Sequence, residues 1–153
     1  MSSWQQLEKD ISQWLAAFAS DGIAFRNPFQ AIVGFPSDGF RSDGMLANDD
    51  ILIAVEIETR QTHPDTNTGK YWLLNIKHKL YKKIVLFHIY TPEFNSYGWR
   101  KKIAEFYIEK IRSEVPIDYI LLDYRATKNY KATLAEIKAL IGKRVRQEFG
   151  KVA

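Results

Sequence analysis

Apolar positions along this chain follow two rhythms. Between Trp4 and Phe18, the residues Trp4, Leu7, Ile11, Trp14, Leu15 and Phe18 recur every three or four positions, which predicts an amphipathic helix that Asp21-Gly22 ends. The short runs Ile23–Phe25 and 30–35, separated by Asn27-Pro28, predict a strand and its approach. Pro36, Gly39 and Gly44 then punctuate a turn-rich stretch. Ile51–Ile57 is nearly continuous in β-branched and apolar residues, the pattern of a strand buried on both faces, and one acid interrupts it. A polar loop over 59–68 leads to an expected helix over 69–83. Ile84–Tyr90 and Ile117–Leu122 read as further buried strands. Helices are expected over 99–115, on Ile103, Tyr107, Ile111 and Val115, and over 134–149, on Leu134, Ile137, Ile141, Val145 and Phe149.

Buried strands alternating with helices predict an α/β domain of three layers, a central mixed β-sheet flanked by helices. With 153 residues, no repeat and no long linker, residues 1–153 are expected to form one domain. The apolar share of 46% and aromatic share of 14% suit a packed globule. No run approaches the roughly 18 uncharged apolar residues of a membrane span. No basic region followed by an apolar run opens the chain, and cysteine is absent. A cytoplasmic protein without disulfides or thiolate metal sites is expected, so any metal would sit on oxygen or imidazole ligands.

Charge changes the picture more than composition does. The net charge is +4, yet residues 1–58 carry −6 and residues 59–153 carry +10. An acidic pocket beside a basic surface is what a metal-dependent enzyme acting on phosphodiesters needs, although helical Lys and Arg could equally be solvating the surface.

The acidic half holds a specific constellation. Ala47-Asn48-Asp49-Asp50 is turn-prone, and a two-residue loop at Asp49-Asp50 would pair Asn48 with Ile51, Leu46 with Ile53, and Asp43 with Glu56. Strand alternation puts Glu58 on the face of Glu56, so three carboxylates are expected to share one patch. Like charges so close repel, and a carboxylate on a buried strand is costly unless paired or ligated. A hard divalent cation such as Mg²⁺, for which Mn²⁺ substitutes, would resolve both problems. An edge strand with Glu56 and Glu58 in solvent, balanced by Lys or Arg, is the other reading.

Asp43 followed by Glu56-Ile57-Glu58 at the end of a buried strand, and then a helix, resembles the PD-(D/E)XK nuclease superfamily. The order helix, three strands, helix, strand resembles its core over residues 4–90, with 97–150 as a C-terminal extension. The resemblance implies a restriction-endonuclease-like fold and a divalent-metal-dependent endonuclease acting on nucleic acid. DNA is the expected polymer, although the sequence itself does not separate DNA from RNA, and a homodimer is an expected assembly. It further implies that Asp43 and Glu56 bind the metal, joined by the Ile57 carbonyl and by Glu58 in a second metal site or as proton acceptor. Glu8 resembles the extra helical acid of resolvase-like members. The usual motif ends in Lys where this chain has Glu58, a Glu-x-Glu variant, and Lys70 is the candidate for a migrated lysine. Gln61 lies where related nucleases place a polar residue. Asp38 is a rival aspartate without the hairpin geometry.

Lys77, Lys79, Lys82, Lys83, Arg100, Lys101 and Lys102 are candidates for phosphate contacts. Thr66–Tyr71 lacks the earlier glycine and the Ser/Thr of a phosphate-binding loop, which excludes a nucleotide site of that kind. His63, His78 and His88 lack metal-ligand spacing, His63 alone being placed to reach the carboxylates. Neither Gly-x-Ser-x-Gly nor cysteine is present for nucleophilic hydrolysis. Tyr71, Trp72, Tyr97 and Trp99 are either packing residues or surfaces on which bases could stack. The alternatives to an enzyme are a non-catalytic nucleic-acid-binding module of the same fold and a protein-interaction domain whose acids meet a basic partner.

Overall fold

The computed structural model describes residues 3–25, 29, 41–60, 63–94 and 98–150. A short 3-10 turn at Ser3–Gln6 runs into helix α1, Leu7–Ala16. Strands β1 (Gly44–Ala47) and β2 (Ile51–Glu58) follow, then α2 (Pro64–His78), β3 (Lys83–Tyr90), α3 (Gly98–Ile111), β4 (Ile117–Asp123) and α4 (Tyr130–Phe149). The four strands form one sheet in the order β1-β2-β3-β4. β1 runs antiparallel to β2, whereas β2, β3 and β4 are parallel. The chain is therefore an α/β protein with a mixed sheet between helices, as its apolar rhythm predicts.

The two faces of the sheet carry different helices. Ile53, Val55, Val85 and Phe87 pack against Leu7, Ile11 and Leu15 of α1 and Ile137, Ile141 and Val145 of α4. Leu52, Ala54, Ile84 and Leu86 pack against Tyr71 and Leu74 of α2 and Ile108 and Ile111 of α3. Each Ile or Leu buried this completely stabilises the fold by roughly 1.5–3 kcal/mol. Burial on both faces explains why β2 and β3 read as unbroken apolar runs. Their polar exceptions, Glu56, Glu58 and His88, share the α2/α3 face with Ala54 and Leu86 by strand alternation.

The β1–β2 hairpin turns where expected. The Asn48 side chain accepts from the backbone of Asp50 (2.9 Å) and Ile51 (2.7 Å), closing the loop at Asp49-Asp50. Leu46 pairs with Ile53 and Gly44 with Val55, the register counted from the turn. Ile23 and Ala24 make only isolated bridges, to Ser20 and Ala47, rather than a strand. The run 30–35 lies outside the described residues, as do Asp38, Gln61 and Tyr97.

Helix α2 corrects the expectation over 69–83 by starting and ending earlier. Pro64 occupies its first turn, where a missing N–H is tolerated. The helix ends at Lys79, which adopts a left-handed conformation (φ 47°). The Asn75 side chain then secures the exit, donating to the Tyr81 carbonyl and accepting from its N–H at 3.0 Å each. Lys70 consequently sits in the second turn, not at the helix start. Asn129 caps α4 by accepting from Ala132 N–H at 3.0 Å, so that helix begins before Leu134. Among the described residues, no helix is long and apolar enough to cross a membrane.

Candidate functional site

Asp43 directly precedes β1, one step beyond the Gly44–Val55 pair. Its N–H donates to the Val55 carbonyl (3.0 Å), and its Oδ2 accepts from Ile57 N–H (2.7 Å). Glu56, 1% exposed, points into the α2/α3 side of the sheet. There α2 meets it. Residues 67, 70 and 71 stand on one helical face at i, i+3 and i+4 spacing. Lys70 Nζ lies 2.5 Å from Glu56 Oε1, and the Tyr71 hydroxyl donates to the same oxygen at 2.5 Å. The Ser42 and Tyr71 hydroxyls share a further hydrogen bond of 2.5 Å. The ammonium also donates to the Arg41 carbonyl (2.7 Å) and to Asn67 Oδ1 (3.3 Å). A buried ammonium is thus surrounded by three oxygens, one of them a carboxylate.

Glu58 shares the face of Glu56 but turns to other partners. Its Oε1 accepts from Asn67 Nδ2 (2.7 Å) and lies 2.7 Å from His88 Nε2. His88 Nδ1 in turn meets the Tyr119 hydroxyl at 2.7 Å. Thr91 fixes the backbone here, its hydroxyl donating to the Glu58 carbonyl at 2.8 Å. The polar belt therefore crosses from Ser42, just before β1, through β2 and β3 to β4.

Burial sets the electrostatics of the Asp43 and Glu56 carboxyl groups. It pushes Asp43 up to about 6, against the Ile57 N–H and with added repulsion from Glu8. It pushes Glu56 up to about 8, outweighing the attraction of Lys70. The Tyr71 phenol is raised well above its usual value by burial and by Glu56, so it stays a proton donor to that oxygen.

Among the described residues, no three His, Asp or Glu side chains are grouped to hold a metal ion. The expected three-carboxylate patch is thus reduced to Asp43 and Glu56, the two acids that Lys70 attracts, because Glu58 is drawn toward His88 and Asn67. A pair still fits Mg²⁺, which is usually held by one or two carboxylates and keeps several waters. Two desolvated carboxyl groups whose burial resists ionisation are also a donor set that a hard cation would stabilise. Ile57 contributes its N–H to Asp43.

Glu8 belongs to α1, across the sheet, and its carboxylate accepts from Arg41 at 3.0 Å, where it borders Asp43 without joining the pair. His63 meets Arg100 rather than the carboxylates. Lys79, Lys82 and Lys83 do not gather with the site. β3 starts level with the start of β2, Lys83 beside Ile51, so these lysines lie at the opposite end of the sheet from Glu58. Lys79 and Lys82 line a cleft of about 550 Å³ there with Asp49 and Asp50. Arg100 and Lys101 lie nearer: Arg100 is 3.6 Å from Asp65 of α2, and Lys101 Nζ stands 5.3 Å from the Tyr90 ring centre at the end of β3.

Ser42, Asn67, Tyr71, His88 and Tyr119 complete the network and were not singled out as site residues by sequence. The 67/70/71 spacing would have exposed two of them had Pro64 been read as a helix start. His88 and Tyr119 carry no such local signal. No protein-family model, no curated protein and no solved structure matches this chain, so its geometry stands without a relative beside it.

Proposed function

We propose that this chain is a divalent-metal-dependent nuclease with a PD-(D/E)XK-like site of Glu-x-Glu type. The observation that carries the reading is the position of Lys70. The motif lacks its strand lysine, and α2 delivers an ammonium 2.5 Å from Glu56 and within electrostatic reach of Asp43, which directly precedes β1. One acid just before β1, one on β2 and a lysine from the next helix match the combination that the resemblance implies for phosphodiester hydrolysis.

Asp43 and Glu56 would hold Mg²⁺ or Mn²⁺, which when bound supplies Lewis-acid activation of water and neutralises phosphate charge. Lys70 Nζ is oriented by Asn67 and the Arg41 carbonyl toward the centre where negative charge develops. Tyr71, itself bonded to Ser42, donates to the same Glu56 oxygen that Lys70 meets. Glu58, fastened to His88, orients Asn67 and through it the Lys70 ammonium. DNA is the first substrate to test. The closed Lys70–Glu56 pair, with both side chains buried, favours one second reading, a binding module in which the pair is purely structural.

The test is cleavage of plasmid, single-stranded DNA and RNA with Mg²⁺ or Mn²⁺ by wild type, Asp43→Ala, Glu56→Ala and Lys70→Met. Metal-dependent cutting abolished in all three variants supports the reading. No cutting of any substrate, with no Mn²⁺ binding by calorimetry, overturns it in favour of the structural pair.

A further inference from the structure

Helix α3 carries apolar residues on both sides. Ala104, Ile108 and Ile111 face inward and are buried. Trp99, Ile103 and Phe106, at i, i+4 and i+7, form a stripe on the opposite side, with Trp99 72% and Phe106 53% exposed. Of the aromatic residues considered for base stacking, Tyr71 is buried on Glu56 and Trp72 is bonded to Glu114 at 2.6 Å, which leaves Trp99 as the open ring among the described residues.

Each exposed ring has its own ammonium. Lys102 Nζ lies 5.0 Å from the Trp99 ring centre and Lys110 Nζ 5.6 Å from that of Phe106. The two rings are two helical turns apart, about 10 Å along the axis, so each can take a separate base. A ring paired with a cation matches the repeating chemistry of an unpaired strand, in which flat bases alternate with phosphates. A duplex hides its base faces and offers these rings nothing to stack on. Covering the stripe with an apolar protein surface would bury two lysines without counter-charges, whereas phosphates supply them.

We propose that the outward face of α3 is a stacking platform for an unpaired nucleic-acid strand, with Trp99 and Phe106 taking bases and Lys102 and Lys110 taking adjacent phosphates. The proposal rests on the nuclease reading only in that it names the form of the substrate. The Trp99 end of the stripe adjoins the candidate site, since Arg100 is tied to Asp65 in the first turn of α2 and Lys101 lies over Tyr90. A strand on this face would run toward the Asp43–Glu56 end of the sheet.

The test is binding of labelled single-stranded and duplex oligonucleotides of equal length, by fluorescence anisotropy in EDTA, so that no cleavage is involved. Wild type is compared with Trp99→Ala, Trp99→Tyr, Phe106→Ala, Lys102→Ala and Lys110→Ala, all at exposed positions. Single strands should bind more tightly than duplex. Each aromatic-to-Ala change should weaken single-strand binding roughly 5- to 100-fold, and Trp99→Tyr should retain it. Each lysine change should lower the slope of log affinity against log salt by about 0.7. Absence of single-strand binding, unchanged affinity in Trp99→Ala and Phe106→Ala, or equal loss for duplex would overturn the platform. So would a wild-type dimer, by sedimentation, that Trp99→Ala converts to monomer with nucleic-acid affinity unchanged, since the face would then join two copies of the chain. Cleavage by wild type with affinity unchanged in Trp99→Ala would sink the platform alone. Ring-dependent binding without cleavage would leave the platform and sink the nuclease.

Discussion

The Lys70 ammonium and the Glu56 carboxylate meet at 2.5 Å inside the protein, with the lysine 6% and the glutamate 1% exposed. Neither charge is tolerable there alone. Removing one partner of a buried pair leaves an uncompensated charge, which typically costs about 3–5 kcal/mol, whereas replacing both by neutral groups of similar size is far milder. Above about pH 8, where Glu56 is ionised, Lys70→Met is therefore expected to destabilise the fold by about 3–5 kcal/mol, and by less at lower pH, and the Lys70→Met/Glu56→Gln double variant by clearly less than the sum of the single changes. Urea unfolding of the four proteins measures this coupling. Simple additivity would mean that the two groups do not act as a pair.

A second expectation concerns pH. Asp43 and Glu56 ionise at higher pH in the folded chain, about 6 and about 8, than ordinary carboxyl groups of the unfolded chain, near about 4. Over that interval the native state holds more protons than the unfolded state, so stability falls as the pH rises. The contribution of the raised groups is full below about pH 4 and is lost through the window that ends near Glu56's folded value. Glu56→Gln should flatten the upper part of the decline and Asp43→Asn the lower part. A divalent cation on these carboxylates must displace their protons, so its affinity should climb across the same window with proton release visible by calorimetry. A wild-type stability that rises from pH 5 to 8, with Glu56→Gln following the same curve, would contradict this account.

His88 supports a third prediction. It joins Glu58 of β2 to Tyr119 of β4, with both ring nitrogens at 2.7 Å from their partners. His88→Leu removes a partner from each neighbour in a buried setting, where an unsatisfied polar group costs about 1–3 kcal/mol. A loss of about 2 kcal/mol or more is expected, with Tyr119→Phe costing about 1 kcal/mol because only one bond is removed. Chemical denaturation of the two variants decides the point. Equal small losses would show that the belt is interrupted at β3.

The β1–β2 register from Leu46–Ile53 to Gly44–Val55 was legible in the sequence because a hairpin register is counted from its own turn, and Asn48-Asp49-Asp50 marks that turn. The misplacement of α2 had a local cause. Residues 63–68, His-Pro-Asp-Thr-Asn-Thr, are polar throughout, and only the proline at the first helical turn betrays the start. That shift of five residues moved Asn67 and Tyr71 out of sight as partners of Glu58 and Glu56. Charge alone makes Lys79, Lys82 and Lys83 candidates for phosphate contacts, and it carries no information about which end of a strand a residue occupies.

Sequence by itself determined the elements that local forces control. These are the apolar rhythms of the strands and most helices, the turn at Asp49-Asp50, and the hairpin register counted from it. The tertiary structure alone decided that β2, β3 and β4 lie parallel in chain order, because parallel neighbours are joined through distant helices and their register depends on packing across the whole sheet. That register sets His88 beside Glu56, brings Tyr119 within reach of His88, and leaves α2 to lower Lys70 onto Glu56. A buried charge finds its counter-charge only when the layers close around both.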